Sequence, residues 1–132
     1  MFVDDEPKVL AALARLFRRD PDLHVHVAQG GLDALRKLEH HPMDLVVSDF
    51  RMPGMNGVEL LCQVSRLYPG TRLAILSAYP EVRAMIRCFR GRSLPPFFSK
   101  PWDNDHLHRY LRRLIRLPAQ APDSQTLTRS AA

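Results

Sequence analysis

The sequence predicts a doubly wound α/β domain: five strand–helix units forming a parallel sheet with helices on both faces. Three observations carry this. Short apolar runs alternate with stretches of helical periodicity along the first 117 residues. The run Met43 to Ser48 is near-continuously apolar, as a central strand covered on both faces must be. Polar residues with chemical potential stand at the ends of four such runs: Asp4-Asp5, Asp49, Ser77 and Lys100-Pro101. Open α/β sheets build their sites at strand C-termini.

The elements follow in order. Phe2-Val3 is a very short first strand, and Pro7 takes the first helical position after Asp5-Glu6. Val9, Leu10, Leu13, Leu16 and Phe17 then recur at helical spacing, and Arg18-Arg19 suit the negative end of that helix. Leu23 to Ala28 alternates, with His24 and His26 on its polar side, which predicts an edge strand. Gly30-Gly31 leads into a helix over 31–40 containing Leu32, Leu35 and Leu38. The third strand covers Met43 to Ser48, and a helix over 58–67 is stopped by Pro69-Gly70. A fourth strand at 73–76 and a helix over 81–90 precede the loop 91–96. Phe97-Phe98 is the fifth strand, and Asp103 caps a last helix with Leu107, Tyr110, Leu111, Leu114 and Ile115 inside. From Pro118 onward Pro, Ala, Gln, Ser and Thr dominate, so residues 1–117 are read as the domain and 118–132 as a flexible tail or linker.

Composition bounds the function. At 45% apolar and 25% charged the chain has the balance of a soluble globular protein. No apolar run approaches the roughly 20 residues that cross a bilayer, and no basic stretch leads into an apolar one at the N-terminus. A cytoplasmic, membrane-free protein is expected. Cys62 and Cys88 both fall in amphipathic segments, which favours reduced thiols over a disulfide framework. The net charge of +5 is local, since residues 81–117 carry nine basic against three acidic side chains. That asymmetry points to a partner surface more than to nucleic acid, despite a pI near 9.8. The pairs His40-His41 and His106/His108 lack i, i+4 spacing and nearby acid or thiol partners, so zinc is not expected.

Adjacent first and third strands would bring Asp4, Asp5 and Asp49 together. Clustered carboxylates repel unless a cation sits among them, and oxygen ligands with room for water suit Mg²⁺. Asp49 is then a nucleophile toward a phosphoryl group, because phosphoryl transfer is mostly positioning and charge neutralisation. Lys100 supplies positive charge, and Ser77 offers its hydroxyl to a phosphoryl oxygen.

Val3-Asp4-Asp5-Glu6-Pro7, Ser48 to Gly57 (Ser-Asp-Phe-Arg-Met-Pro-Gly-Met-Asn-Gly), Ser77-Ala78 and Lys100-Pro101-Trp102 resemble the receiver domains of bacterial two-component response regulators. The resemblance covers about residues 1–117 and implies a flavodoxin-like (βα)5 fold with sheet order 2-1-3-4-5. It implies phosphotransfer from a sensor histidine kinase, or a phosphotransfer protein, to Asp49. Such a protein is a signalling phosphoacceptor, not an enzyme acting on other substrates. Asp5 would bind Mg²⁺ directly, Asp4 more often through water, and the backbone carbonyl of Arg51 would complete the protein ligands. Ser77 and Lys100 would hold the phosphoryl group. Phe97 takes the place of the family's switch aromatic, keeping its bulk without the hydroxyl of a tyrosine. It would equally serve as plain core. Arg51 and Tyr79 stand where the family flanks the attacking water, and a bulky pair there implies slow dephosphorylation.

Two departures from the family matter. Only three residues precede the acid pair, so the first strand is short and reduced stability or reliance on an oligomer is expected. Arg83, Arg87, Arg90, Arg109, Arg112, Arg113 and Arg116 crowd the last two helices, on the family's signalling face. They imply an acidic downstream protein or output domain as partner. A homodimer is a second option, and direct nucleic-acid contact is not expected. An aspartate-nucleophile phosphatase is disfavoured by Arg51, where such enzymes carry a second acid. A nucleic-acid binder lacks a supporting motif, and a receiver acting without phosphorylation would not need the complete acid, hydroxyl and lysine set.

Overall fold

The computed structural model describes residues 1–79 and 81–117. The expected tail, 118–132, lies outside the described residues. Five strands, β1 (Phe2–Val3), β2 (Val27–Ala28), β3 (Leu45–Ser48), β4 (Arg72–Ser77) and β5 (Phe97–Ser99), form one parallel sheet in the order β2-β1-β3-β4-β5. Five helices alternate with them: α1 (Pro7–Phe17), α2 (Gly31–His40), α3 (Gly57–Leu67), α4 (Val82–Cys88) and α5 (Asn104–Arg116). The doubly wound fold and its strand order are those the sequence predicts.

Strand periodicity divides the core in two. Val3, Val46 and Ile75 point to one face and pack with Ala34, Leu38, Leu60, Leu61, Val64 and Met85 from α2, α3 and α4, and with Phe89 just beyond α4. Phe2, Leu45, Val47, Ala74 and Leu76 point to the other, against Leu10, Leu13, Phe17, Leu107 and Leu111 from α1 and α5. β3 is buried along its whole length, which explains its unbroken apolar character.

The helix starts are locally encoded. Pro7 opens α1. Asn56 accepts from the Glu59 N–H (2.9 Å) and donates its amide to Glu59 Oε1 (2.8 Å), a reciprocal cap that starts α3. Asp103 accepts from the His106 N–H (2.8 Å) and starts α5.

Several expectations are corrected. β2 covers Val27–Ala28 and not 23–28, because β1 pairs with it only at Phe2↔Val27 and Val3↔Ala28. Residues 23–25 therefore have no adjacent strand with which to form a ladder, while the His26 carbonyl still accepts from the Phe2 N–H (2.9 Å). The helix expected over 81–90 covers Val82–Cys88. Tyr110, placed inside by its spacing, is exposed, its ring edge-on to Phe98 at 5.0 Å between centroids. Cys62 of α3 and Cys88 of α4 face each other with Cα atoms 6.1 Å apart, a proximity the sequence reading did not expect. Sequence spacing does not reveal that α3 and α4 pack side by side.

Candidate functional site

The parallel register brings the strand ends to one edge: Val3 pairs with Ser48, Ser48 with Ile75, and Ser77 with Ser99. Asp4, Asp49, Ser77 and Lys100 therefore meet, although 96 residues separate the first from the last. Asp49 is only 8% exposed. Its Oδ1 accepts from the Phe50 N–H (2.7 Å) and the Ser77 hydroxyl (2.5 Å). Its Oδ2 accepts from Lys100 Nζ (3.2 Å). The same ammonium donates to Asp4 Oδ2 at 2.6 Å, and Asp4 Oδ1 accepts from the Glu6 N–H at 3.0 Å. The Lys100–Pro101 peptide is cis, and the Lys100 N–H donates to the Ser77 carbonyl (3.2 Å).

Oxygen atoms of Asp4, Asp5 and Asp49 lie within 4.8 Å of one another. Three carboxylates against one ammonium leave two formal negative charges uncompensated. A hard oxygen donor set with that charge fits a divalent cation of the Mg²⁺ type. Burial pushes the Asp4 carboxyl above its usual range, with Lys100 and the Glu6 N–H only partly offsetting it. Burial also pulls the Lys100 ammonium down, but the Asp4 and Asp49 carboxylates outweigh that and hold its pKa above the ordinary value.

The loop after β3 frames Asp49. The Gly57 N–H donates to the Phe50 carbonyl (2.7 Å), and a Cβ at Gly57 would overlap the Asp49 carbonyl oxygen. Only glycine allows α3 to begin that close to Asp49. Arg51 turns its guanidinium over the Tyr79 ring, 4.2 Å from the centroid, and its Nε lies 3.4 Å from Glu81 Oε1. The two positions expected to flank an attacking water thus touch each other across the β3–α3 and β4–α4 loops. Phe97 is 42% exposed and stacks beside Phe50 at 6.0 Å between centroids, so it is not plain core.

The arginine set divides. Arg83, Arg87, Arg90, Arg109, Arg113 and Arg116 are exposed. Arg112 is not part of that surface. It forms ion pairs with Asp20 and with Asp22 (2.8 Å to the latter) in the loop after α1. His108 Nε2 also reaches Asp20 Oδ2, at 3.2 Å. The physical reason is helical phase: His108 and Arg112 are one turn apart beside the buried Leu107–Leu111 stripe, facing α1. Sequence reasoning missed the Phe50 N–H and the buried Asp20. Neither had a sequence signal: every residue has an N–H, and Asp20 stands in no motif.

A doubly wound parallel sheet with an aspartate, a hydroxyl and a lysine converging on an acid pair defines the class of receiver-type signalling modules. The response regulator receiver domain family matches residues 1–112. The chain belongs to that family. It is 30% identical over 125 residues to the transcriptional regulatory protein GlrR of Escherichia coli (strain K12), covering 95% of this chain and 28% of GlrR. It is 28% identical over 127 residues to the regulatory protein AtoC of the same strain, covering 96% of this chain and 27% of AtoC. The chain thus spans just over a quarter of these relatives' length. The signal receiver domain of an HD domain-containing protein from Pseudomonas fluorescens Pf-5 superposes with a TM-score of 0.77 at 29% identity, over 85% of this chain and 89% of that one. The response regulator TrrA from Thermotoga maritima, solved in complex with Mg²⁺-BeF, shares the fold with a TM-score of 0.73 at 24% identity, over 86% of this chain and 95% of that one.

Proposed function

We propose that Asp49 accepts a phosphoryl group from a phosphohistidine of a sensor kinase or phosphotransfer protein, and that the modified domain controls a partner. The observation that carries this is the Asp49 carboxylate held between the Ser77 hydroxyl and the Lys100 ammonium, beside Asp4 and Asp5. An Asp49 carboxylate oxygen forms the new O–P bond as the N–P bond of the donor breaks, and the imidazole keeps the electron pair. Ser77 and Lys100, already on the carboxylate, then turn to the incoming phosphoryl oxygens. Asp4, Asp5, Asp49 and the Arg51 backbone carbonyl would hold Mg²⁺, which supplies charge neutralisation at the phosphoryl group when bound. The Phe50 N–H keeps the carboxylate oriented throughout.

Phe97, half out of the core, is free to change packing when Ser77 moves, and it serves as the switch aromatic. The Arg51–Tyr79 stack covers the approach to Asp49 and slows hydrolysis of the phosphoryl group. Residues 1–117 act as the receiver, and 118–132 as tail or linker. The exposed arginines of α4 and α5 are offered to an acidic downstream protein or output domain. GlrR is a transcriptional regulator, so DNA control through parts beyond residues 1–117 is within this reading, while the receiver itself contacts no nucleic acid.

Trp102, the lone tryptophan, follows the Lys100–Pro101 bond and reports on the site. Its emission should shift saturably when beryllium fluoride is added with Mg²⁺, and Lys100→Ala should abolish the shift. An identical shift without Mg²⁺, or in the variant, would contradict the assignment.

A further inference from the structure

Cys62 and Cys88 are the only two cysteines of the sequence, and the fold sets them across one seam. Cys62 lies midway along α3 on its buried side, one turn after Val58. Cys88 ends α4, one turn after Ala84 and Met85, which pack on the same core. Both side chains therefore face the contact between α3 and α4. Their Cα atoms are 6.1 Å apart, inside the span of about 4.4–6.8 Å that a disulfide bridges without backbone movement. A second tie crosses the seam nearby. Arg92, just past α4, donates to the Ser65 hydroxyl (3.1 Å), which donates to the Cys62 carbonyl (2.7 Å). Access is unequal: Cys62 is buried, while Cys88 is half-buried and flanked in the chain by the exposed Arg87 and Arg90.

We propose that Cys62 and Cys88 are a reversible thiol–disulfide pair, a redox input separate from Asp49 that staples α4 to α3. The oxidant is a small disulfide of the oxidised-glutathione class. The Cys88 thiolate attacks one of its sulfurs, forming a mixed disulfide and releasing one thiol. The Cys62 thiolate then attacks the Cys88 sulfur, closing the protein bond as the second thiol leaves. Two protein thiols lose two electrons and two protons, and one small disulfide becomes two thiols. The access supports this order, because reagent meets Cys88 first and Cys62 stands within bridging distance of it. Oxidised glutathione is an anion, and the arginines beside Cys88 draw it in. Either cysteine alone would serve as a small hydrophobe, but packing does not require a second thiol at bridging distance. Upstream, α4 follows the loop of Tyr79 and Glu81, which already contacts Arg51. A closed bond would thus fasten the helix at both ends and fix where its exposed Arg83, Ile86 and Arg87 stand.

The test equilibrates the 132-residue protein in glutathione buffers of rising oxidised-to-reduced ratio, then traps free thiols with N-ethylmaleimide in denaturant for intact-mass analysis. Asp49→Asn is carried in parallel and should behave identically, because the staple needs no phosphoryl group. Reduced protein should take two maleimides. Oxidised protein should take none and weigh two hydrogens less, and dithiothreitol should restore the first state. Oxidation should raise Tm by roughly 10 °C and slow hydrogen exchange at the Met85 and Phe89 amides. Cys88→Ser, at the half-buried position, should fold and show neither change. Two maleimides on folded protein at every ratio would overturn the proposal, as would a glutathione adduct on Cys88 that never resolves. A closed bond that leaves Met85 and Phe89 exchanging as before would overturn the staple.

Discussion

At the scale of single residues, four side chains from four different strand ends meet in one site. Lys100 is central to it, since one ammonium bridges Asp4 and Asp49. Lys100→Ala should slow phosphorylation by acetyl phosphate about 100-fold, read by intact mass against time. A change under a few-fold would remove Lys100 from the chemistry. Gly57 carries a steric requirement rather than a chemical one. Gly57→Ala should destabilise the protein by about 1–3 kcal/mol in urea titration and displace Asp49, because the added methyl meets backbone, which cannot rotate away. The four chemical residues were legible in the sequence because topology alone decides where strand ends lie. The Phe50 N–H that orients Asp49 was not, since every residue has an N–H and only the folded turn aims it.

At the scale of elements, two contacts tie segments distant in the chain to each other. The first is the Arg51–Tyr79 stack, extended by Glu81, which ties the β3–α3 loop to the β4–α4 loop. Tyr79→Ala should speed loss of the phosphoryl group, up to about tenfold if the cation–π contact is what holds the cover shut. A lifetime equal to the parent's would show that the stack does not guard Asp49. The second is the clamp from Arg112 and His108 to Asp20, which fastens α5 to the loop after α1. The Arg112 hydrogen bond holds the Asp20 carboxyl below its ordinary value of 3.8. Stability from this source is therefore present above that value and lost as the pH falls through the folded-state pKa. Asp20→Asn should lower Tm at pH 7 and flatten the decline in Tm below about pH 4. An unchanged acid limb in the variant would assign acid lability to other carboxylates. Neither contact could be read from the sequence, because both join residues far apart in the chain on loops or helix flanks. β2 shows a different failure. Its residues alternate, but a strand needs a partner, and β1 is too short to supply one over residues 23–25.

At the scale of the whole molecule, charge and fold separate into two faces of function. The C-terminal edge of the sheet is acidic and holds Asp49, while α4 and the outer face of α5 are lined by exposed arginines. Removing Arg112 from that surface sharpens it, since the remaining α5 arginines at 109, 113 and 116 share one helical face. Reversal of Arg109 and Arg113 to Glu should leave phosphorylation by acetyl phosphate unchanged and abolish binding to an acidic partner. Equal loss of both would mean that the variant perturbs the fold. The central claim, that Asp49 is a phosphoacceptor, has the most direct test. Intact mass would be measured after incubation with Mg²⁺ and acetyl phosphate, alongside Asp49→Asn. The account predicts a gain of one phosphoryl group that the variant lacks. No gain in folded protein that still binds Mg²⁺ would contradict it and leave a receiver fold that works without phosphorylation.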